Sequence, residues 1–371
     1  MKKTIFLSLV TLSLITNVYG NEAKTPAQIM QDALIKIEAI ASTVSIDNNL
    51  SDINRTEANI SNKVDDTFTL GKYGTFKFEK ANDNVYIMHG PVVSPNKENQ
   101  GFMNNPAVIE SEHGLIVIDP GGNYNVGKKI LAEIEKVSKK PIIAVLNTHK
   151  HGDHWFANKA IVEKYPKVDI YAHPNMIKVS QEGEAEIWYG ILSRTTGNLE
   201  GTKAFAFPTK ILKDAQKIEI DGQNFVIQHP PVAHTDTDIL VAHMNSMTLF
   251  LGDNLMKGRL GSFDESSSIL GNIELLENIK KETAFKLYVP GHGKSGKKDE
   301  TIDMFLNYLK VLAEDGKKAY EDDKESYEVK DEIMKKLPWM KDWDAFAKNM
   351  PSHLNKVMQE IGEKELLEED E

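Results

Sequence analysis

A dense group of metal-ligand side chains follows directly on an apolar run in this sequence. The run Pro141–Leu146 has the length and composition of a buried β-strand, and THKHGDHW, residues 148–155, comes next. Imidazole nitrogens and carboxylate oxygens are common zinc ligands. Two histidines at i and i+2 can reach one cation, while the aspartate and histidine at i+4 and i+5 reach a second. The spacing therefore predicts a paired metal site at the end of a strand. Its first four proposed ligands are His149, His151, Asp153 and His154.

Three later segments each place one further donor beside an apolar run, and two metals require these additional ligands. His234 precedes the run that begins at Ile239. Asp253 follows Leu251 and a glycine, and His292 stands between two glycines after Pro290. Glycine lets the backbone turn sharply enough for a neighbouring side chain to face a cleft. We therefore add His234, Asp253 and His292 to the proposed ligands.

The ordered set of these motifs resembles the metallo-β-lactamase superfamily. The matching segments are residues 148–154, His234, residues 251–253 and residues 290–293. The segment IVIDPG, residues 116–121, matches the family's strand-to-loop aspartate at Asp119. The resemblance covers roughly residues 76–300. It implies an α/β fold, the αββα four-layer sandwich with helical extensions at both ends, whose metal cleft lies along one edge of two facing sheets.

The resemblance also implies a role for each matching residue. It puts His149, His151 and His234 on a first metal and Asp153, His154 and His292 on a second, with Asp253 bridging. Asp119 would accept hydrogen bonds that hold the metal-binding loop in place. The implied cofactor is two zinc ions per chain, with iron or manganese as alternatives, and the implied nucleophile is a metal-bridging hydroxide. Asp153, as the catalytic residue, would orient this hydroxide or accept its proton.

The same resemblance narrows the substrate class. Asp253 stands where zinc-dependent lactamases of one type carry a cysteine, which favours a small ester, thioester, lactone or amide over an antibiotic. The pattern is similar to that of exported zinc hydrolases with a bridging aspartate. Three alternatives stay open: a mononuclear iron enzyme similar to persulfide dioxygenases, a β-lactamase, and a non-catalytic periplasmic metal-binding protein.

Several residues outside the metal motifs are candidates for contact with the substrate. Lys257 and Arg259 could receive a carboxylate, with a solvated basic patch as the alternative reading, and Asn254 could polarise a carbonyl. Trp155, Trp188, Tyr189 and the predicted loop Gly190–Thr202 could line a pocket, although aromatic side chains more often pack in a core.

Composition excludes some classes of partner and chemistry. The formal net charge of −11 disfavours nucleic acid, because proteins that bind it neutralise phosphates with clustered Lys and Arg. The chain has no cysteine, so it has neither a thiolate nucleophile nor a disulfide. We therefore expect a small molecule as the partner.

The N-terminus looks like an export signal. Lys2 and Lys3 precede the apolar run Ile5–Ile15, which is shorter than the ~20 residues that span a bilayer. We predict a signal peptide over residues 1–20, a mature chain that begins near Asn21, and a periplasmic or secreted protein without a stable membrane span. The remaining predicted divisions are an N-terminal helical and polar extension over 21–75, the metal-binding domain over 76–300 and a charged helical tail over 301–371.

Short apolar runs and turn signals predict alternating strands and helices in the central domain. Asn125 is the expected cap of a helix that ends at Val137. The predicted strands are Phe76–Lys80, Val85–Met88, Ala107–Glu110, Leu115–Ile118, Ile142–Leu146, Asp169–Ala172, Asn224–Gln228, Ile239–His243, Thr248–Leu251 and Lys286–Val289.

Overall fold

In the computed structural model, which describes residues 67–197 and 199–369, the apolar runs form two β-sheets. The predicted signal peptide and most of the predicted N-terminal extension lie outside the described residues. The strands of the first sheet, in chain order and in spatial order, are β3 (Glu79–Lys80), β4 (Val85–Ile87), β5 (Ala107–Glu110), β6 (Leu115–Ile118), β7 (Ile142–Leu146), β8 (Asp169–Ala172) and β9 (Lys210–Ile211). A separate two-stranded sheet pairs β1 (Phe68–Thr69) with β2 (Thr75–Phe76).

The second sheet is built from the later part of the chain. Its strands, again in spatial order, are β10 (Lys217–Ile220), β11 (Gln223–Gln228), β12 (Leu240–His243), β13 (Thr248–Phe250) and β14 (Leu287–Val289). Neighbouring strands are antiparallel from β3 to β6 and from β10 to β13, whereas β6 to β9 and the pair β13 and β14 are parallel. The parallel pairs require crossover connections, which the helices supply.

Helices cover the outer faces of both sheets. Those that follow strands of the first sheet are α1 (Tyr124–Val137), α2 (Gly152–Trp155), α3 (Asn158–Lys164), α4 (Pro174–Val179) and α5 (Ala185–Thr196). Those that follow strands of the second sheet are α6 (Ile269–Lys281), α7 (Lys298–Glu321), α8 (Ser326–Lys336) and α9 (Phe346–Glu369). None of the helices in the described part of the chain is long and apolar enough to cross a membrane.

The alternation of side chains along each strand explains the layers. In β6, Leu115 and Val117 pack with α1, while Ile116 and Ile118 face the second sheet. In β12, Val241 faces the first sheet, and its neighbours on either side pack with α6 and α7. Because these strands carry apolar residues on both faces, each sheet must be covered by helices on one face and by the other sheet on the other face. The layers therefore follow the order helix, sheet, sheet, helix. The predicted αββα sandwich is confirmed.

Three local predictions differ from the structure. The side chain of Asn123, not Asn125, caps α1 by accepting from the backbone N–H of Val126 at 2.8 Å. The run Phe76–Lys80 is divided between β2 and β3. The first part of the predicted loop that begins at Gly190 is helical, because α5 continues to Thr196. The helix ends there because the next residue, Gly197, has a left-handed backbone conformation with φ of 67°.

Segments at both ends of the predicted central domain pack against its core. Phe68 and Leu70 are buried in the cluster that contains Phe102 and α1. Buried apolar side chains of α7, α8 and α9 join the cluster under the second sheet. The predicted divisions at residues 75 and 300 stay a prediction.

We predict that His353, buried in α9, makes the fold sensitive to acid. Its Nε2–H donates to the carbonyl oxygen of Gly261 at 3.0 Å, and its Nδ1 accepts from the hydroxyl of Tyr308 at 2.8 Å. Burial lowers the pKa of His353 to about 4, below the value of about 6.5 expected in the unfolded chain. As the pH falls, His353 therefore binds a proton in the unfolded chain at a higher pH than it does in the folded protein. The free energy of unfolding should fall by up to about 3 kcal/mol between pH ~6.5 and ~4 from this residue alone.

Urea denaturation of the metal-free protein across this pH range, beside His353→Gln, measures the effect. Glutamine keeps a donor and an acceptor but does not titrate, so the variant should lose less stability on acidification than the wild type. Equal slopes would contradict the assignment.

Candidate metal centre

The seven proposed ligands lie on loops and one short helix at one edge of the sandwich. His149 and His151 follow β7, and Asp153 and His154 lie in α2. His234 precedes β12, Asp253 follows β13 and His292 follows β14. All seven side chains are buried. The strand ends therefore bring together residues that are far apart in sequence.

The first group of donor atoms comes from His149, His151, His234 and Asp253, which each offer one ligand atom within 4.8 Å of the others. His151 Nδ1 lies 3.1 Å from His234 Nε2, and Asp253 Oδ2 lies 3.7 Å from the same His234 atom. The gap between these atoms is small enough for one cation to contact them all.

The second group consists of Asp153, His154 and His292, whose donor atoms also lie within 4.8 Å of one another. Asp153 Oδ2 is 3.3 Å from His292 Nε2, which in turn is 3.4 Å from His154 Nε2. Asp253 contacts this group too, because its Oδ1 lies 3.1 Å from His154 Nε2 and its Oδ2 lies 3.2 Å from His292 Nε2. Asp253 therefore lies between the two groups, where the sequence analysis expected the bridging ligand.

Unsatisfied polar atoms show that this arrangement fits cations. Among the described residues, His149 Nε2, Asp153 Oδ1 and Asp253 Oδ1 are buried without a hydrogen-bond partner. A buried polar atom without a partner costs about 1–3 kcal/mol. Burial lowers the pKa of His234 to about 3, and burial with neighbouring histidines holds the pKa of His149 well below its usual range. Neutral imidazoles beside carboxylates are the donor set that zinc prefers.

Asp119 holds the metal-binding loop through three hydrogen bonds. Its carboxylate accepts from the backbone N–H of Thr148 at 2.9 Å, the Thr148 hydroxyl at 2.6 Å and His154 Nδ1–H at 2.8 Å. Burial would lower the pKa of His154, but the carboxylates of Asp253, Asp153 and Asp119 hold it well above its usual range. In a neutral, metal-bound His154, the bond to Asp119 would keep the proton on Nδ1 and leave Nε2 available to the metal. In a similar way, His292 Nδ1–H donates to the carbonyl oxygen of Met103 at 2.7 Å and leaves Nε2 free.

Asp264 lies beside a proposed metal ligand, and the sequence analysis did not identify it. Its Oδ2 lies 3.7 Å from His151 Nε2, on the side of the ring opposite the Nδ1 atom that faces His234. Burial alone would raise the pKa of Asp264, but contacts with His151, Ser266 and Lys150 hold it below its ordinary value. The carboxylate therefore stays charged and favours a proton on His151 Nε2. No local spacing links Asp264 to the histidine motif, which explains why sequence reasoning did not find it.

Glu184 joins Asp264 and His151 in a third group of potential metal ligands. The ammonium group of Lys150 already lies there, 3.2 Å from Asp264 Oδ2, 3.8 Å from Glu184 Oε1 and 2.9 Å from Ser266 Oγ. This buried lysine supplies the positive charge that the two carboxylates need. The third group is therefore an ion-pair cluster beside the metal centre.

The three predicted substrate residues occupy different environments. Arg259 is buried, and its Nη1 lies 3.0 Å from His292 Nε2, so it is a cation beside the second metal group. The Lys257 ammonium donates to the carbonyl oxygen of Glu300 at 2.7 Å. The Asn254 amide accepts from the backbone N–H of His234 and donates to the carbonyl oxygen of Leu251. Of the three, only Arg259 places its charged group beside the proposed metal ligands, and the substrate roles of all three residues stay predictions.

We predict that Asp264→Asn weakens zinc binding about 10- to 100-fold, as expected for loss of a carboxylate that orients a ligating histidine. Competition with a chromophoric chelator measures the affinity. Asp299→Asn, which removes an exposed carboxylate on α7, is the matched control and should bind zinc as the wild type does. If Asp264→Asn also retained wild-type affinity, Asp264 would not position His151.

Comparison with known proteins identifies the family. The model of the metallo-beta-lactamase superfamily matches residues 100–292, just over half of the chain. A linear primary-alkylsulfatase from Pseudomonas sp. is 29% identical over 163 residues, which are 36% of this chain and only 30% of the alkylsulfatase. A probable metallo-hydrolase from Methanocaldococcus jannaschii is 28% identical over 221 residues, which are 57% of this chain and 96% of that protein.

A solved structure shares the fold. The structure of a double mutant of the sec-alkyl sulfatase PisA1 superposes with a TM-score of 0.61 at 16% identity, over 77% of this chain and 50% of that one. The matched relatives confirm the prediction of an enzyme of the metallo-hydrolase type. The chain belongs to the metallo-beta-lactamase superfamily.

Proposed function

We propose that this protein is a dinuclear zinc hydrolase that acts on a small ester, thioester, lactone or amide. The observation that carries the proposal is the position of Asp253, whose two carboxylate oxygens lie against both groups of histidines. His149, His151 and His234 would hold the first ion, and Asp153, His154 and His292 the second. Because one carboxylate is shared between two donor groups, the arrangement suits two cations better than a single cation.

When bound, zinc would lower the pKa of water towards about 7 and polarise the scissile carbonyl. Asp153 and Arg259 would support that chemistry in different ways. Asp153 Oδ1, which has no hydrogen-bond partner among the described residues, would accept the proton of the attacking water. Arg259 places a guanidinium group beside His292, where it would attract negative charge on the substrate.

Hydrolysis of a sulfate ester is the second candidate. A linear primary-alkylsulfatase and a sec-alkyl sulfatase are both among the similar proteins, and neither is covered over more than half of its length. A buried arginine beside the metal groups would suit an anionic ester as well as a carboxylate. The two candidates share the metal centre and differ in the group that Arg259 would receive.

We also propose that the protein is exported. The basic and apolar residues at the start of the chain support this proposal. When the full-length gene product is expressed in a Gram-negative host, N-terminal sequencing of the periplasmic fraction should find a chain that begins near Asn21. Recovery of an uncleaved chain from the cytoplasm would contradict it.

We predict that zinc analysis finds two ions per chain and that the loaded protein hydrolyses at least one member of a panel of carboxylic esters, thioesters, lactones, amides, β-lactams and alkyl sulfates. Asp153→Ala should lower kcat on that substrate about 100-fold or more, because it removes both a metal ligand and a proton acceptor. Steady-state rates before and after chelation and zinc readdition provide the measurement.

Asp83→Ala, in an exposed turn, is the control and should keep the wild-type rate. Equal rates for Asp153→Ala and wild type on every substrate would exclude catalysis by this centre. Iron in place of zinc, with oxygen uptake on a persulfide, would instead favour the dioxygenase alternative.

A further inference from the structure

A cleft of about 810 Å³ opens beside the metal centre and has a volume typical of small-molecule sites. It begins at Lys150 and His151 and is bordered by α5, α9 and the loop that contains Phe263. We propose that this cleft binds an uncharged, apolar alkyl or aryl group of the substrate, next to the bond that is hydrolysed. The inference rests on the proposed hydrolase function and adds the class of group that the enzyme selects.

The α5 side of the cleft is apolar. Ile187, Trp188 and Ile191 follow the spacing of one helical face and all line the cleft. Ile187 is 58% exposed, so its apolar surface is open to a group that enters the cleft. The Trp188 ring lies 4.5 Å from the ring of His151, measured between centroids. The apolar surface therefore reaches the metal ligands themselves.

A second apolar side chain approaches the centre from another direction. Phe263 also lines the cleft, and its ring centroid lies 5.8 Å from that of His234. Trp188 and Phe263 thus flank two histidines of the first metal group. Flat aromatic surfaces at this position would contact the part of the substrate nearest the scissile bond. Trp155, by contrast, is fully buried and belongs to the core.

The charges that line the cleft exclude an anionic group remote from the metals. Four carboxylates line it, and of the two lysines, Lys150 is paired with Asp264 and Glu184. The other, Lys356, lies 4.0 Å from Glu360 Oε1. A carboxylate or phosphate far from the scissile bond would therefore meet net negative charge among the described residues that line the cleft. An apolar chain would not be repelled by these carboxylates. The polar side chains of α9 keep the outer side of the cleft hydrated.

A series of para-nitrophenyl esters tests the inference on the zinc-loaded protein. From acetate through butyrate and hexanoate to octanoate, kcat/KM should rise about fourfold per methylene group that enters the cleft, and then level off. The para-nitrophenyl half ester of suberic acid, whose chain ends in a carboxylate, should not show this rise in kcat/KM.

Ile187→Gln keeps the size of the side chain and makes it polar. It should lower the ratio of kcat/KM for octanoate to that for acetate by about threefold or more. The matched control is Ile211→Gln in β9, at a position that is 51% exposed and does not line the cleft. It should leave the ratio as in the wild type.

A binding experiment separates this inference from the proposed function. Alkyl hydroxamates of increasing chain length are titrated calorimetrically into the zinc-loaded protein, so no turnover is needed. If no member of the substrate panel is hydrolysed but hydroxamate affinity rises with chain length, the proposed function fails and the cleft assignment stands. If neither kcat/KM nor hydroxamate affinity depends on chain length, or if Ile187→Gln behaves like Ile211→Gln, the cleft assignment is overturned.

Discussion

The metal centre depends on one buried carboxylate, that of Asp119. It lies at the end of β6, in a left-handed backbone conformation with φ of 47°, and accepts three hydrogen bonds from the loop after β7. Hydrogen bonds to a charged acceptor are stronger than those between neutral groups, so the loop has little freedom. Since four of the seven proposed ligands lie in this loop, its position decides whether the remaining three can complete the two groups. The parallel pairing of β6 with β7 brings Asp119 and Thr148 to the same edge.

The helices after the second sheet hold the other side of the centre. Asn349 of α9 donates to the carbonyl oxygens of Leu260 and Gly261, and His353 donates to the latter as well. Further along α9, the Glu360 carboxylate accepts from the backbone N–H groups of Ile269 and Leu270. These contacts fix both ends of the segment 260–270. Because Asp264 lies within that segment, a helix far outside the family match helps to place the carboxylate that lies 3.7 Å from His151.

The sequence predicted which donor residues come together, and where the strands lie, better than it predicted the groups around them, for a physical reason. Proposed ligands such as His149 and His154 lie close together in the chain, the distant Asp253 and His292 follow strands beside glycines, and His234 directly precedes an apolar run. Continuous apolar runs likewise predicted β6 and β12 to within one residue of their observed ends. The contact of Asp264 with His151 joins segments more than a hundred residues apart and depends on tertiary packing alone. The segment that begins at Gly190 was predicted as a loop, but its first part is helical in α5, where packing overrides the usual cost of glycine inside a helix.

The periodicity of α9 gives its two sides separate roles. Asn349, His353 and Glu360 lie at positions i, i+4 and i+11, and they anchor the segment that supports the metal ligands. Positions between these, such as Asn355 and Gln359, line the cleft instead. A change on the anchoring side alters the geometry of the centre, whereas a change on the cleft side alters only the surface that a substrate meets. Substitutions on the cleft side of α9 can therefore change the substrate preference of the protein, while the contacts that position the metal site are retained.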